Sequence, residues 1–297
     1  ARGSDPAGLA DALIERLGYA NADVSPNASR TLGLRISDGD GASSDASTLT
    51  ITVSPSLDGA PRVWAEERVN TYTPSTQDTP ATTTLADGSY VVAWLSSGQD
   101  GNSWGIYAQR FANNGEALGA EFRVNTLVNG EQSWPQVAAL SDGGFVVSWQ
   151  DGAGNDGSGW GSYAQRFDAA GAAQGAQLLL NTTTAGTQYH TNVAAYPGGF
   201  AAAWSNGNDI YLQRFDNAGV KVGGETLVST GVGVGTAQTG AQYLSDIAAA
   251  ANGDLVIVWS DGGSNDGSSY GVFGRLYDAG TTSFGDTFLV NTTTASQ

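Results

Sequence analysis

The sequence predicts an all-β protein in which four repeats of about 55 residues, each with four strands, form a β-propeller-like array. Apolar segments that end in tryptophan mark the repeats at a spacing of 55 residues: Trp94, Trp149, Trp204 and Trp259. Of the 297 residues, 42 are glycine and 40% are apolar, while only 14% are charged. This composition favours short strands and tight turns over long helices, and it leaves enough apolar side chains for a large core.

Each repeat contains four segments in a fixed order. In the second repeat, an apolar segment at 135–140 is followed by FVVSW at 145–149, a Gly/Asp-rich loop, YAQRF at 163–167 and LLLNT at 178–182. Short runs rich in valine and aromatic residues, bounded by Gly, Asp and Asn, are typical of strands joined by hairpins. We therefore expect four antiparallel strands per repeat. A sandwich of two large sheets is the other fold that such strands allow.

Glutamine provides a second marker with nearly the same period. It recurs at Gln77, Gln132, Gln188, Gln242 and Gln297. We expect the four repeats to occupy residues 63–297 and to stop at the start of a fifth, and we expect residues 56–62 to be a linker.

Residues 1–55 follow a different pattern. A helix is predicted over 5–18, because Asp5 is a suitable N-cap and leucines recur four residues apart. Alternating apolar and polar residues at 31–36 and 47–53, separated by an Asp/Gly-rich turn, predict a hairpin.

Two parts of the chain are similar to known bacterial proteins. Residues 9–55 resemble the C-terminal half of the cadherin-like, immunoglobulin-like modules of large secreted or surface adhesins, through the Tyr19-x-Asn21 segment and the turn at 38–41. Repeats such as GGFVVSWQDGAGNDGSGWGSYAQRFDAAG at 143–171 resemble those of long calcium-dependent proteins of the RTX type. The resemblance implies a truncated cadherin-like module followed by propeller-like repeats. Neither a catalytic motif nor the glycine-rich nonapeptide of RTX calcium rolls accompanies it.

This resemblance implies a non-enzymatic adhesive or structural role outside the cell or at its surface. The partners would be cell-surface glycans or proteins and the neighbouring modules of the same long chain. Two other functions stay open. One is a lectin-like, carbohydrate-binding propeller. The weaker one is a polysaccharide-processing enzyme, which would need two carboxylates about 5 to 9.5 Å apart in one pocket.

Composition excludes several classes of function. The absence of cysteine removes thiolate metal sites and disulfide frameworks, and His190 is the only histidine available for catalysis. A net charge of −17 repels nucleic acid and anionic membrane surfaces. Since the sequence contains no apolar run of membrane-spanning length, we expect no direct membrane insertion.

Acidic loops make Ca²⁺ the expected cofactor, because Ca²⁺ binds carboxylate and carbonyl oxygens in flexible geometry. The candidate ligands lie in the loop after each period-marking tryptophan and in the DGDG turn near the N-terminus: Asp100, Asp151, Asp156, Asp209, Asp261, Asp266, Asp38 and Asp40. The alternative is that Asn-Asp-Gly and Asp-Gly sequences form tight turns without a metal.

Aromatic residues on the same loops are the candidate glycan contacts. Trp104, Trp160 and Tyr270 occupy equivalent places beside glycine, and Trp134 lies on a different loop. A flat aromatic face can stack on a sugar ring, and packing over the rim of the repeat is the alternative.

The other recurrent residues have structural interpretations. We expect the four period-marking tryptophans to pack between repeats. Four arginines occupy equivalent places in the strand after the loop: Arg110, Arg166, Arg214 and Arg275. We expect each to pair with an acidic or carbonyl group of its own or the next repeat. The alternative is that the row faces a ligand or binds a carboxylate through two parallel N–H donors. His190 takes the place of Trp134 in the following repeat, which indicates a position that tolerates many residues.

Overall fold

A computed structural model describes residues 30–34, 47–51, 67–229, 241–267 and 270–293. The chain forms two compact units, residues 1–67 and 68–297. The predicted helix over 5–18, the linker at 56–62, the carboxylates Asp38 and Asp40, and Gln297 lie outside the described residues.

The first unit contains one described hairpin. Strand β1 (Arg30–Leu34) pairs antiparallel with β2 (Ser47–Ile51), and Leu32 lies opposite Leu49. This pairing confirms the hairpin that the alternating pattern predicts at 31–36 and 47–53.

The second unit consists of four antiparallel sheets, which we call blades 1 to 4. Blade 1 comprises β3 (Gln77–Thr84), β4 (Tyr90–Ser97), β5 (Trp104–Phe111) and β6 (Phe122–Arg123). Blade 2 comprises β7 (Gln132–Ala139), β8 (Phe145–Asp151), β9 (Gly161–Phe167) and β10 (Ala173–Leu179). Blade 3 comprises β11 (Gln188–Tyr196), β12 (Gly199–Asn206), β13 (Asp209–Asp216) and β14 (Lys221–Leu227). Blade 4 comprises β15 (Gln242–Ala249), β16 (Leu255–Asp261), β17 (Gly271–Asp278), β18 (Ser283–Phe284) and β19 (Phe288–Leu289).

Strands within a blade pair in chain order, and the first strands of successive blades pack against one another. Those first strands are therefore the inner strands. In blade 4 the outermost strand is split into β18 and β19, which both pair with β17. The described part of the chain is all-β, in four-stranded antiparallel sheets arranged as in a β-propeller, as the repeats predict.

An apolar core fills each of the three interfaces between successive blades. Trp149 packs on Leu85, Val91 and Ile106 of blade 1, and equivalent clusters contain Trp204 and Trp259. All three indole rings are essentially inaccessible to solvent. The prediction that the period-marking tryptophans pack between repeats is confirmed for these three interfaces.

A chain of side-chain hydrogen bonds also joins neighbouring blades. Asn125 of blade 1 donates to Gln132 of blade 2 at 3.0 Å, and Gln132 donates to the buried carboxylate of Asp151 at 3.2 Å. Asn181 donates in the same way to Gln188 at 3.2 Å. The marker glutamines of blades 2 and 3 are therefore the points at which these blades are attached to the one before.

Three of the four arginines lie at equivalent positions, and the fourth does not. Arg166 lies opposite Val146, but the residue opposite the equivalent Val256 is Leu276, and Arg275 is one place earlier. Because a shift of one residue moves a side chain to the other face of a strand, the expected equivalence of Arg275 is wrong. Arg275 does contact the preceding blade, since it donates to the carbonyl of Val228 at 2.9 Å.

Candidate functional site

Three features of every blade meet at one end, which we call the loop end. The antiparallel registers place the start of the inner strand beside the end of the second strand and the start of the third, as Gln132, Asp151 and Gly161 show in blade 2. The loop that joins the second and third strands lies there too. Residues far apart in the sequence therefore share this surface.

Each inner strand bulges at the same place in the loop end. The register shifts just after the marker glutamine, and the residue two places beyond it has a left-handed backbone: Thr79 (φ 50°), Trp134 (φ 55°), His190 (φ 54°) and Leu244 (φ 51°). Such a backbone is unfavourable for a residue with a Cβ. Because a bulge redirects the side chain at that position, each blade projects one side chain in a direction that a regular strand does not allow.

Rings from blades 2 and 3 meet at the loop end to form what we call the aromatic cluster: Trp134, Tyr189 and His190. The imidazole centroid of His190 lies 5.4 Å from Trp134 at 86° and 4.9 Å from Tyr189 at 81°. These are edge-to-face contacts, the geometry that ring quadrupoles favour. The side chain of Trp134 is 46% exposed.

Gln150 of blade 2 fixes the two bulges relative to each other. Its Oε1 accepts from the backbone N–H of His190 at 2.9 Å, and its Nε2 donates to Ser133 at 3.1 Å. Burial lowers the pKa of His190, so the ring is neutral at pH 7. The cluster therefore presents an uncharged aromatic surface.

Blade 4 has an open groove at the same place. The groove has a volume of about 330 Å³ and is lined by Tyr243, Leu244, Ser260, Tyr270, Gly271 and Val272. The rings of Tyr243 and Tyr270 are 6.2 Å apart at 78°, and Tyr270 is 46% exposed. We call this the tyrosine groove.

The four predicted glycan contacts do not form one patch. Trp134 and Tyr270 are exposed, in blades 2 and 4. Trp104 is partly buried against the core between blades 1 and 2. The ring of Trp160 covers Gly152, where an added Cβ would lie 2.8 Å from the indole. Trp104 and Trp160 therefore pack over the rim of their repeats, as the alternative interpretation has it.

Three ring residues of the loop end were missed: Tyr189, His190 and Tyr243. In the sequence these residues stand one or two places after a marker glutamine, and that spacing could have identified them. The repeat alone indicates a tolerant loop position at His190, because this residue takes the place of Trp134. The structure brings these two residues into contact instead, because successive bulges lie side by side.

The acidic loops are organised by hydrogen bonds. The carboxylate of Asp151 accepts from the backbone N–H of Ala153 at 2.9 Å and from the amides of Asn155 and Gln132. Asp261 accepts from the equivalent donors, Gly263, Asn265 and Gln242. Burial raises the pKa of Asp151. These contacts account for the Asp-x₃-Asn spacing without a metal.

The remaining candidate calcium ligands make local contacts. Asp156 accepts from Ser158 and Asn181, Asp266 accepts from Asn291, Asp209 accepts from Ser229, and Asp100 accepts from Asn102. Within the described ranges, no three His, Cys, Asp or Glu side chains are grouped so as to hold a metal ion. Calcium also binds carbonyl oxygens, so calcium binding stays a prediction.

No known protein family matches the sequence, and neither does any curated protein. Solved structures do match the fold. The endo-arabinase of Bacteroides thetaiotaomicron is 14% identical, with 72% of this chain and 81% of that chain covered and a TM-score of 0.45. The α-L-arabinofuranosidase of Lactobacillus brevis is 14% identical, with coverages of 70% and 71% and a TM-score of 0.42. A protein of unknown function from Dyadobacter fermentans is 13% identical, with coverages of 72% and 68% and a TM-score of 0.48.

These matches correct two expectations from the sequence. The matching structures include an endo-arabinase and an arabinofuranosidase, whereas the sequence predicts a resemblance to RTX-type or cadherin-like adhesins. That predicted resemblance is wrong. The expectation of a non-enzymatic adhesive segment is corrected with it. At these identities and TM-scores the likeness is one of fold alone.

Proposed function

We propose that this protein binds neutral glycan chains at the loop end of its blades. The observation that carries the proposal is the pair of exposed aromatic sites, the aromatic cluster and the tyrosine groove. Both are built on inner-strand bulges whose left-handed residues are not glycine. Strained positions of this kind persist where a side chain has a task, and the task that suits an exposed flat ring is stacking.

The surroundings favour a neutral sugar. The C–H face of a sugar ring packs on an aromatic ring, while its hydroxyls need hydrogen-bond partners. Ser260 lines the tyrosine groove, and the partly exposed carboxylates Asp156 and Asp266 of the acidic loops lie at the same end of the blades. Carboxylates accept from sugar hydroxyls but repel an anionic sugar.

The test removes both exposed rings. The double variant Trp134→Ala, Tyr270→Ala should lose binding to an array of neutral oligosaccharides, and its melting temperature should stay close to that of the wild type. The matched control is Val220→Ala, which removes an exposed apolar side chain from the turn at the opposite end of blade 3. Undiminished glycan binding by the double variant would refute the proposal.

Cleavage of the bound glycan is a second candidate. Two inner strands carry exposed carboxylates, Asp78 on β3 and Asp246 on β15. Glycoside hydrolysis uses a pair of carboxyl groups. Release of reducing ends from the glycans that bind, abolished in both Asp78→Asn and Asp246→Asn, would establish an enzyme. Release that survives both substitutions would exclude these two residues.

Calcium binding and an extracellular location remain part of the proposal as predictions. Within the described ranges, no helix is long and apolar enough to cross a membrane. Titration of the chelator-treated protein with CaCl₂ in a calorimeter tests the metal directly. Heat of binding that is reduced in Asp156→Asn and Asp266→Asn is expected, and the absence of heat at millimolar Ca²⁺ would contradict it.

A further inference from the structure

A second cavity lies away from the loop end, between the outer strands of blades 3 and 4. It has a volume of about 250 Å³, and its walls include Arg214, Gly223, Gly224, Thr226, Tyr277 and Phe284. A water molecule occupies about 30 Å³ in the liquid, so the cavity has room for a small molecule but not for a chain of sugars.

Arg214 differs from its two equivalents in other blades. Arg110 donates to the carbonyl of Ala170 at 2.9 Å, and Arg166 pairs with Asp142 at 3.3 Å. The guanidinium of Arg214 makes neither a hydrogen bond nor an ion pair with any described residue. Its guanidinium carbon lies 4.8 Å from the centroid of the Tyr277 ring. The structure thus fixes a guanidinium against a ring and leaves its N–H donors unused.

The walls offer both apolar and polar contacts. Tyr277 is only 5% exposed, and its hydroxyl has no hydrogen-bond partner among the described residues. Buried polar atoms are nearly always paired, so this one calls for water or a ligand. A Cβ added at Gly223 would lie 4.0 Å from a terminal nitrogen of Arg214, so the wall that faces the guanidinium carries no side chain there. Phe284 adds a second ring.

We propose that this cavity binds a uronate, a sugar ring that carries one carboxylate, with the carboxylate on Arg214 and the ring against Tyr277 and Phe284. A guanidinium matches a carboxylate with two parallel N–H donors. The six lining residues named above include one charge, which suits a monoanion better than a phosphate dianion. The inference is separate from glycan binding at the loop end, where the acidic loops disfavour an anionic sugar.

The test compares three probes by ligand-observed NMR. Glucuronate should bind the wild type, while glucose, which has no carboxylate, and acetate, which has no ring, should bind at least about tenfold more weakly. In Arg214→Gln the affinity for glucuronate should fall at least about tenfold, because its carboxylate loses its charged partner. Acetate that binds as tightly as glucuronate would reduce the site to an anion site and overturn the proposal.

Two control variants separate the possible failures. Arg110→Gln removes the equivalent guanidinium in blade 1, which already donates to Ala170, and should leave glucuronate binding unchanged. Trp134→Ala removes the exposed ring of the aromatic cluster at the loop end and should also leave glucuronate binding unchanged. Glucuronate binding that is retained in Arg214→Gln, or lost in Trp134→Ala, would overturn the proposal. A melting temperature for Arg214→Gln close to the wild-type value rules out unfolding as the cause.

Discussion

Blades 2 and 4 carry nearly the same loop and differ in what covers it. In blade 2, Gln150 accepts from the backbone of His190, whose imidazole ring stands edge-on against Trp134. In blade 4 the equivalent surface is the tyrosine groove, lined by Tyr243 and Tyr270. The same surface of the two blades therefore carries different rings: in blade 2 it contacts His190 of blade 3, and in blade 4 Tyr243 and Tyr270 face a groove.

The contrast is confined to the surface. The buried carboxylates Asp151 and Asp261 have equivalent hydrogen-bond partners, and Trp149 and Trp259 are equally buried between blades. The loop therefore folds in the same way in blade 2, where His190 of blade 3 contacts this surface, and in blade 4. Its conformation comes from local hydrogen bonds, and the exposed rings are free to differ.

The largest expected effect tests whether the cores of the two blades are equivalent. Trp149→Ala and Trp259→Ala should each lower the free energy of unfolding by about 3 to 5 kcal/mol, because each removes a fully buried ring from an interface between blades. Trp134→Ala, at an exposed site, should cost less than about 1 kcal/mol. Urea denaturation measures all three. A loss in Trp134→Ala as large as that in Trp149→Ala would show that the aromatic cluster is part of the core.

An intermediate effect is expected at the buried carboxylates. Asp151→Asn and Asp261→Asn should each destabilise the fold by roughly 1 to 3 kcal/mol, since an amide cannot accept from all of the loop donors. Unequal losses in the two variants would mean that the contact with His190 of blade 3 does affect the loop of blade 2.

The pH dependence at Asp151 has a definite sign. Burial raises its pKa above the ordinary value of 3.8, so ionisation is less favourable in the folded state. The stability that Asp151 contributes through this shift is present below about pH 3.8 and is lost as the pH rises through the raised pKa. The deficit of Asp151→Asn, followed by urea denaturation from pH 3 to 7, should therefore shrink over that window.

The smallest effect concerns His190 of blade 3, whose backbone and ring contact blade 2. Burial lowers its pKa, so its contribution is present above the ordinary value of 6.5 and is lost as the pH falls through the lowered pKa. Wild-type protein should lose stability between pH 7 and 4 relative to His190→Gln. Parallel stability curves for the two proteins would show that the imidazole is solvated at the loop end.

The fold could be predicted from the sequence because its markers report local requirements. Tryptophan at a fixed spacing identifies the strand that packs between blades, and glycine, aspartate and asparagine identify the turns. The equivalence of Arg275 failed for a physical reason. The loop and strand of blade 4 keep the length of blade 2, but the arginine is one residue earlier and lies on the other face.

The site could be predicted only in part. Exposed Trp134 and Tyr270 were found from the loops that carry them, but their partners Tyr189, His190 and Tyr243 depend on bulges that bring separate blades together. The carboxylates were recognised, although their hydrogen bonds to Gln132 and Gln242 cross from one strand to the next. Pairings of this kind are long-range contacts, which a repeat pattern alone does not reveal.

The hydrogen bonds from Asn125 to Gln132 and from Asn181 to Gln188 have a consequence for how such a chain evolves. At these two junctions an asparagine just after the last strand of one repeat donates to the first residue of the next repeat, so the second repeat brings both an acceptor, Gln132, and a donor, Asn181. At the third junction Ser229 takes the place of the asparagine. Duplication or deletion of the second 55-residue unit as a whole therefore leaves each remaining amide of these bonds with a partner. The number of blades can therefore change in a single genetic event without exposing an unpaired amide at the junction.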